Sequence, residues 1–150
     1  MRFLTKMALS LYRIFDSIRM KLSSAFAARE GDFVEKYPNG QIKTKGAYWR
    51  GLKTGYWYSY YDNGVLESEG NYQDGLRENK WTYYYSNGQI ENIEIYCQGK
   101  ENGEFQGFHE NGMKSVTGQY RNGKREGIFY LFDEKGEFVK EIKFENGTEI

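Results

Sequence analysis

Residues 37–64, with the sequence YPNGQIKTKGAYWRGLKTGYWYSYYDNG, decide the fold. The stretch holds two Asn-Gly pairs 24 residues apart, at Asn39-Gly40 and Asn63-Gly64. Asn-Gly between apolar runs is a strong signal for a β-hairpin, because a type I′ turn needs positive φ at both central residues. The stretch therefore predicts a type I′ hairpin at each Asn-Gly pair, with a strand on either side.

The same step of 24 residues continues along the chain. Asn-Gly recurs at 87–88 and 111–112, and Lys135-Gly136 takes the fifth place. A second glycine column with this step consists of Gly51, Gly75, Gly99, Gly123 and Gly147. A constant period of this kind indicates a repeat protein. The residues that we predict to shape the repeat turns are Gly40, Gly64, Gly88, Gly112 and Gly136.

Two short strands in each repeat predict a mainly β protein, an elongated single antiparallel meander sheet of about 9–10 strands. We expect the sheet to occupy residues 31–150. The second connection of each repeat, such as residues 50–55, is expected to be longer than the Asn-Gly turn. The predicted strands are 32–37, 41–49, 56–62, 65–72, 80–86, 89–97, 104–110, 113–120, 128–133 and 137–145.

Side chains alternate between the two faces of a strand, so the sheet should have an apolar face and a wetter face. We expect Trp57 to lie opposite Gly70 on one side and Tyr48 on the other, and a Trp ring to cover the bare backbone of Gly46 or Gly70. The apolar face should include Trp57, Trp81, Tyr96, Phe105, Phe129 and Phe144.

The wetter face places tyrosines between charged residues. Tyr is enriched at interfaces because it offers a large contact area with a polar end. The alternative is that these rings only stabilise cross-strand pairs. As a partner-binding strip we select Trp49, Tyr58, Tyr60, Tyr84 and Phe108.

The repeated stretches, together with RNGKREG at 121–127, resemble the MORN repeat in its bacterial variant, the YwqK-type antitoxins. The resemblance covers about residues 37–147 and departs from the pattern at Glu94, Gly107 and His109. It implies an elongated antiparallel sheet that contacts proteins or membranes, with no catalytic residues. The antitoxin label implies that the partner is a toxin protein, which the chain binds and silences.

Residues 1–30 carry six basic and two acidic residues, a net charge of +4, whereas residues 31–150 carry −4. Leu4, Leu11, Phe15, Ile18 and Leu22 recur in steps that place them on one helical face. The segment therefore predicts an amphipathic helix over 1–30. It either packs across the apolar face of the sheet or rests on an anionic membrane through residues 1–28.

A signal peptide or a membrane span is a weaker interpretation of this helix, although Ala25-Phe26-Ala27 resembles a cleavage site. Both need an uninterrupted apolar stretch. The charged residues that interrupt it are Arg13, Asp16, Arg19 and Lys21. We therefore expect a cytoplasmic protein, or one held peripherally at a membrane.

The composition argues against an enzyme, a metal site and a cofactor. The chain has one Cys, one His and a net charge of zero, with 21 basic and 21 acidic residues. Cys97 and His109, the only candidate thiol–imidazole pair, should lie roughly 17 Å apart along neighbouring strands. Because the repeat region is acidic, we expect no nucleic acid partner. The sequence thus predicts a non-catalytic protein-interaction module, with a membrane-associated scaffold as the alternative.

Overall fold

The computed structural model describes residues 29–150, and the helix predicted over 1–30 lies outside the described residues apart from the last two positions. One antiparallel sheet holds 11 strands, and each strand pairs with the next one along the chain. The strands are β1 (Gly31–Lys36), β2 (Ile42–Trp49), β3 (Leu52–Tyr60), β4 (Leu66–Gln73), β5 (Leu76–Tyr84), β6 (Ile90–Cys97), β7 (Lys100–Phe108), β8 (Lys114–Arg121), β9 (Lys124–Phe132), β10 (Phe138–Glu145) and β11 (Thr148–Glu149).

The predicted meander is confirmed, but the strand count of 9–10 is too low. The additional strand is β11, whose residues Thr148 and Glu149 pair with the end of β10. It exists because Asn146 and Gly147 both have positive φ, at 51° and 87°, and turn the chain back on itself. The glycine column therefore makes one more hairpin than the strand pattern indicated.

The Asn-Gly connections are not type I′ turns, so this part of the prediction is wrong. Gly40 has a φ of 87°, but Asn39 does not share the positive φ that type I′ requires. The Gly40 amide donates to the Tyr37 carbonyl at 2.9 Å, and the Tyr37 amide donates to the Gln41 carbonyl at 2.9 Å. These bonds describe a type I turn that ends in a left-handed glycine, with Pro38 at the position that favours Pro.

The two-residue turns lie instead in the second connection, which the sequence analysis took to be the longer one. Arg50 and Gly51 have φ values of 51° and 77°, and Trp49 pairs directly with Leu52. The next strand therefore begins at Leu52 and not near residue 56. The same geometry recurs at 74–75, 98–99, 122–123 and 146–147.

A β-bulge follows each of the first four tight turns and explains why the predicted position of Trp57 was partly wrong. Trp57 pairs with Gly70 as expected, but Tyr48 pairs with Lys53. The partner of Lys45 is Tyr58 and that of Ala47 is Thr54, so the chain between them carries extra residues opposite Gly46. The bulge brings the Trp57 ring across the strand onto Gly46.

Aromatic rings lying on bare glycine backbone form the core. An ideal Cβ at Gly46 would lie 2.3 Å from the Trp57 ring, and one at Gly70 would lie 2.2 Å from the Trp81 ring. The prediction that Trp covers these glycines is thus correct in kind, but the ring on Gly70 belongs to Trp81. The buried hydrophobic side chains of the described residues are Trp57, Trp81, Tyr96, Phe129 and Phe144.

Side chains also link consecutive repeats on the side of the Asn-Gly turns. The Tyr37 hydroxyl donates to the Tyr60 carbonyl at 2.7 Å, and the Tyr85 hydroxyl donates to the Phe108 carbonyl at 2.7 Å. The His109 Nε2 occupies the same place at 2.9 Å from the Phe132 carbonyl. The histidine is therefore a substitute for the repeat tyrosine.

Candidate partner-binding faces

The sheet presents two faces of different chemistry. The tryptophan face carries the rings of Trp57 and Trp81 that cover glycine backbone. The tyrosine face, on the other side, carries Tyr58, Tyr60 and Tyr84. The alternation of side chains along β3 separates Trp57 from Tyr58.

Three of the five predicted strip residues lie close together on the tyrosine face. The Lys45 ammonium lies 4.9 Å from the centre of the Tyr58 ring and 5.6 Å from that of Tyr60. Glu69 pairs with Tyr58 across the strands and accepts a hydrogen bond from the Tyr84 hydroxyl at 2.8 Å. These contacts make a continuous patch of rings and charges across β2 to β5.

The other two strip residues lie away from this patch. Trp49 lies at the tight turn beside Leu52 and is 58% exposed. Phe108 ends β7, where it pairs with Lys114 and is half-buried. The structure therefore extends the predicted strip towards both turn sides of the sheet without joining Trp49 or Phe108 to the tyrosines.

The sequence analysis missed several exposed apolar residues on the tyrosine face. Tyr56 is 58% exposed, and its ring centre lies 6.0 Å from that of Tyr58. Phe138 is 58% exposed and its ring lies 6.5 Å from that of Tyr130. Spacing by two residues, as between Tyr56 and Tyr58, could have revealed the first of these. The second needed the register of β9 and β10.

Burial and hydrogen bonding change the acidity of one strip residue. Desolvation and, after it, the Glu69 carboxylate that accepts the hydroxyl hydrogen bond together raise the pKa of Tyr84 to about 12. The neutral phenol is thus favoured, and it acts as a hydrogen-bond donor over the whole physiological range.

A column of cations lies over the rings of the tryptophan face, and the sequence analysis did not detect it. The Lys53 ammonium lies 4.1 Å from the centre of the Trp57 ring, and the Arg77 guanidinium lies 4.7 Å from that of Trp81. Members of the column repeat every 24 residues: Arg29, Lys53, Arg77 and Arg125, with Glu101 in the place between the last two.

A family model described as the MORN repeat variant matches residues 29–50, 53–74, 77–98 and 101–122. These matches cover more than half of the 150 residues. The chain belongs to the MORN repeat variant family. Membership suggests a module for protein interaction or membrane association. No curated protein matches the chain.

Each MORN match corresponds to one structural unit of the sheet. It begins at a position of the cation column, passes through a type I Asn-Gly turn and ends at the first residue of a tight two-residue turn. Residues 125–146 lie beyond the matches but repeat the same arrangement, from Arg125 over the Phe129 ring to the turn at Asn146. The structure thus contains a fifth unit.

The third MORN unit departs from the others on the tryptophan face, as its sequence suggested. Glu94 stands where the neighbouring units have Gly70 and Gly118. Its carboxylate accepts a hydrogen bond from the Tyr96 hydroxyl at 2.5 Å, and the Glu101 carboxylate lies 3.3 Å from the same hydroxyl. These two carboxylates separate the aromatic residues of the first units from those of the last.

The geometry places the candidate chemical groups far apart. Cys97 pairs with Lys100 at one end of β7, while His109 follows the other end, so the separation is larger than predicted. Within residues 29–150 no group of three His, Cys, Asp or Glu side chains could hold a metal ion. Residues 29–150 also contain no helix with the length and apolar character needed to cross a membrane.

Proposed function

We propose that the chain is a non-catalytic protein-interaction module that binds its partner through the tyrosine face. The observation that carries the proposal is the exposed aromatic surface there. Tyr56 and Tyr58 lie beside each other, and Lys45 lies over Tyr58 and Tyr60. Rings with polar ends and a nearby cation are typical of protein interfaces. The hydrogen bond from the Tyr84 hydroxyl to Glu69 holds that ring in place, so less side-chain entropy is lost there on binding.

The most specific form of this proposal is that the module acts as an antitoxin. The support is the resemblance to the YwqK-type variant, which carries that label, and membership of the MORN repeat variant family. An antitoxin of this kind acts by occupying the active or target-binding surface of a toxin protein. An extended sheet face is suited to such masking, because it covers a large area without needing a pocket.

The experiment tests the protein encoded next to this chain in its genome. We expect that protein to inhibit growth when expressed alone, and to form a complex with this chain that relieves the inhibition. Tyr58→Ala with Tyr60→Ala should abolish the complex while leaving the circular dichroism spectrum unchanged. Lys140→Ala is the matched control, because Lys140 pairs with Leu131 on the tryptophan face. Loss of the complex only in the control would contradict the proposed face.

The second candidate is a membrane-associated scaffold. Residues 1–30 have a net charge of +4, which favours contact with anionic lipid. The full chain should then sediment with vesicles that contain phosphatidylglycerol, and about 0.5 M salt should release it, since screening weakens attraction to anionic lipid. Vesicles of phosphatidylcholine alone are the control. Equal sedimentation with both vesicle types would contradict this candidate.

A further inference from the structure

We infer that the tryptophan face is a second interaction surface, which binds an acidic segment of a partner protein. This inference does not depend on the tyrosine face, because the two faces lie on opposite sides of the sheet. It rests on the cation column, on the apolar floor beneath it and on the two carboxylates that interrupt it.

The cations of the column have no carboxylate partners within the described residues. The ion pairs there are Lys43–Glu35 at 3.1 Å and Arg121–Glu126 at 3.7 Å. Lys53 lies instead 4.9 Å from the Tyr72 ring centre, in addition to its contact with Trp57. A ring attracts a cation without neutralising its charge. Arg77 also donates a hydrogen bond to the Tyr96 hydroxyl at 3.1 Å. Its position is also already restricted, which lowers the entropy lost on binding.

The positions of the cations define the spacing that a ligand must match. Lys53 lies on β3 and Arg77 on β5, so two strand spacings, roughly 9.6 Å, separate their backbones. Arg125 lies on β9, after the interruption at Glu101. The partner should therefore carry carboxylates about 10 Å apart, since that is the distance between alternate strands.

The apolar floor beside Arg125 accepts apolar side chains. A cavity of about 550 Å³ lies beside Arg125, and Val116, Leu131 and Phe144 are among the residues that line it. Large apolar residues next to the partner carboxylate that pairs with Arg125 would fill this cavity and cover the neighbouring rings. The ligand is thus an acidic segment with apolar residues, and not a free anion.

Other occupants fit the face less well. Residues 1–30 have six basic and only two acidic residues, so the cation column repels this segment more than it attracts it. An anionic membrane would place negative charge against Glu94 and Glu101, which lie in the middle of the face. A peptide avoids this repulsion because it can present a neutral or basic residue at that position.

The test measures binding of a fluorescent synthetic peptide to the full-length chain. The peptide carries Glu at every seventh residue, roughly 10.5 Å apart in a helix, with Leu and Phe between them. A peptide with Gln in place of each Glu is the control, and vesicles containing phosphatidylglycerol form a second arm. We expect the Glu peptide to bind and the Gln peptide to bind with at least about fivefold lower affinity. Added salt should lower the affinity of the Glu peptide.

Variants of the column give the decisive comparison. Lys53→Gln and Arg125→Gln should each lower the affinity for the Glu peptide by about threefold, the change expected for one partly exposed ion pair. Glu101→Lys should raise the affinity for the Glu peptide by a similar factor, because a cation at position 101 completes the column. Lys45→Gln is the matched control, since Lys45 also lies over tyrosine rings but on the tyrosine face.

Several results of the peptide measurements would overturn the inference. They are an absence of binding by the Glu peptide, equal binding of the Gln peptide, no gain in the Glu101→Lys variant, and an equal loss in the Lys45→Gln variant. Vesicle binding that follows the same order of variants would also overturn it, because the face would then recognise lipid. Failure of the tyrosine-face complex would leave all of these measurements unaffected.

Discussion

Gly70→Ala should destabilise the sheet, although alanine is normally less costly than glycine inside a strand. An ideal Cβ at Gly70 would lie 2.2 Å from Cδ2 and 2.3 Å from Cε2 of the Trp81 ring. Trp81 is only 3% exposed, and its Nε1 donates to the Asn71 carbonyl at 3.1 Å. The added methyl group therefore forces the ring to move away from the strand and to weaken this hydrogen bond.

The expected loss of stability follows from three contributions. Overpacking of a close contact costs about 1–3 kcal/mol, and the weakened indole hydrogen bond costs up to about 1 kcal/mol. Replacement of glycine returns roughly 0.5–1 kcal/mol through the entropy of the unfolded chain. The net loss is about 2 kcal/mol, which should lower Tm by roughly 4–8 °C for a chain of this size. Urea unfolding followed by tryptophan fluorescence and by circular dichroism measures this loss.

A double-mutant cycle tests whether the ring is the cause. In a Trp81→Leu background the large ring is absent, so Gly70→Ala should cost less than about 0.5 kcal/mol. Ser68→Ala is the matched control on the same strand, because Ser68 pairs with Ser59 and Tyr83 and covers no ring. A cost of about 2 kcal/mol that persists in the Trp81→Leu background would refute the steric explanation.

Three further predictions concern ionisation, turns and links between repeats. The pKa of Tyr84 is raised to about 12, so the stabilisation that its neutral phenol gives the fold is complete below pH 10 and is lost as the pH rises from about 10 to 12. Glu69→Gln should lower the pH at which this phenol ionises in an absorbance titration. An unchanged midpoint would contradict the contact between Tyr84 and Glu69. Gln98→Asn should raise the unfolding free energy by about 0.5–1 kcal/mol, because Asn adopts positive φ more readily, and the reverse change Asn122→Gln should lower it by a similar amount in the same urea assay. Tyr61→Phe removes a hydroxyl that donates to the Tyr84 carbonyl at 2.7 Å, and should cost about 1 kcal/mol; a cost near zero would show that water replaces this hydrogen bond.

The repeat period was readable from the sequence because each turn needs a residue that tolerates positive φ. Both glycine columns mark turns in the structure, as at Gly40 and Gly51. The turn types could not be assigned from the dipeptide alone. Asn39 uses its side chain to accept a hydrogen bond from the Gln41 amide at 3.0 Å, which favours a type I turn over the expected type I′. Arg50 adopts the positive φ that was expected of Asn39.

The candidate site, too, could be predicted from the sequence only in part. Alternation along β3 correctly placed Tyr58 and Tyr60 together, because side chains two residues apart share a face. It did not reveal that the Lys45 ammonium lies over the Tyr58 ring, since the register between β2 and β3 decides that contact. The cation column was also missed, although Lys53 and its equivalents repeat with the same period. The period alone does not show that these cations lie over rings, because the bulge is what brings Trp57 beneath Lys53.

The sequence alone determined that the chain folds back and forth into a meander with one apolar and one wetter face. Turn chemistry and side-chain alternation are local properties, because they depend on residues that are close together in the sequence. The tertiary structure alone decided which ring covers which glycine, which cations lie over rings and where Glu94 interrupts them. These outcomes depend on the register between strands, and a single bulge shifts that register without any distinct signal in the residues around it.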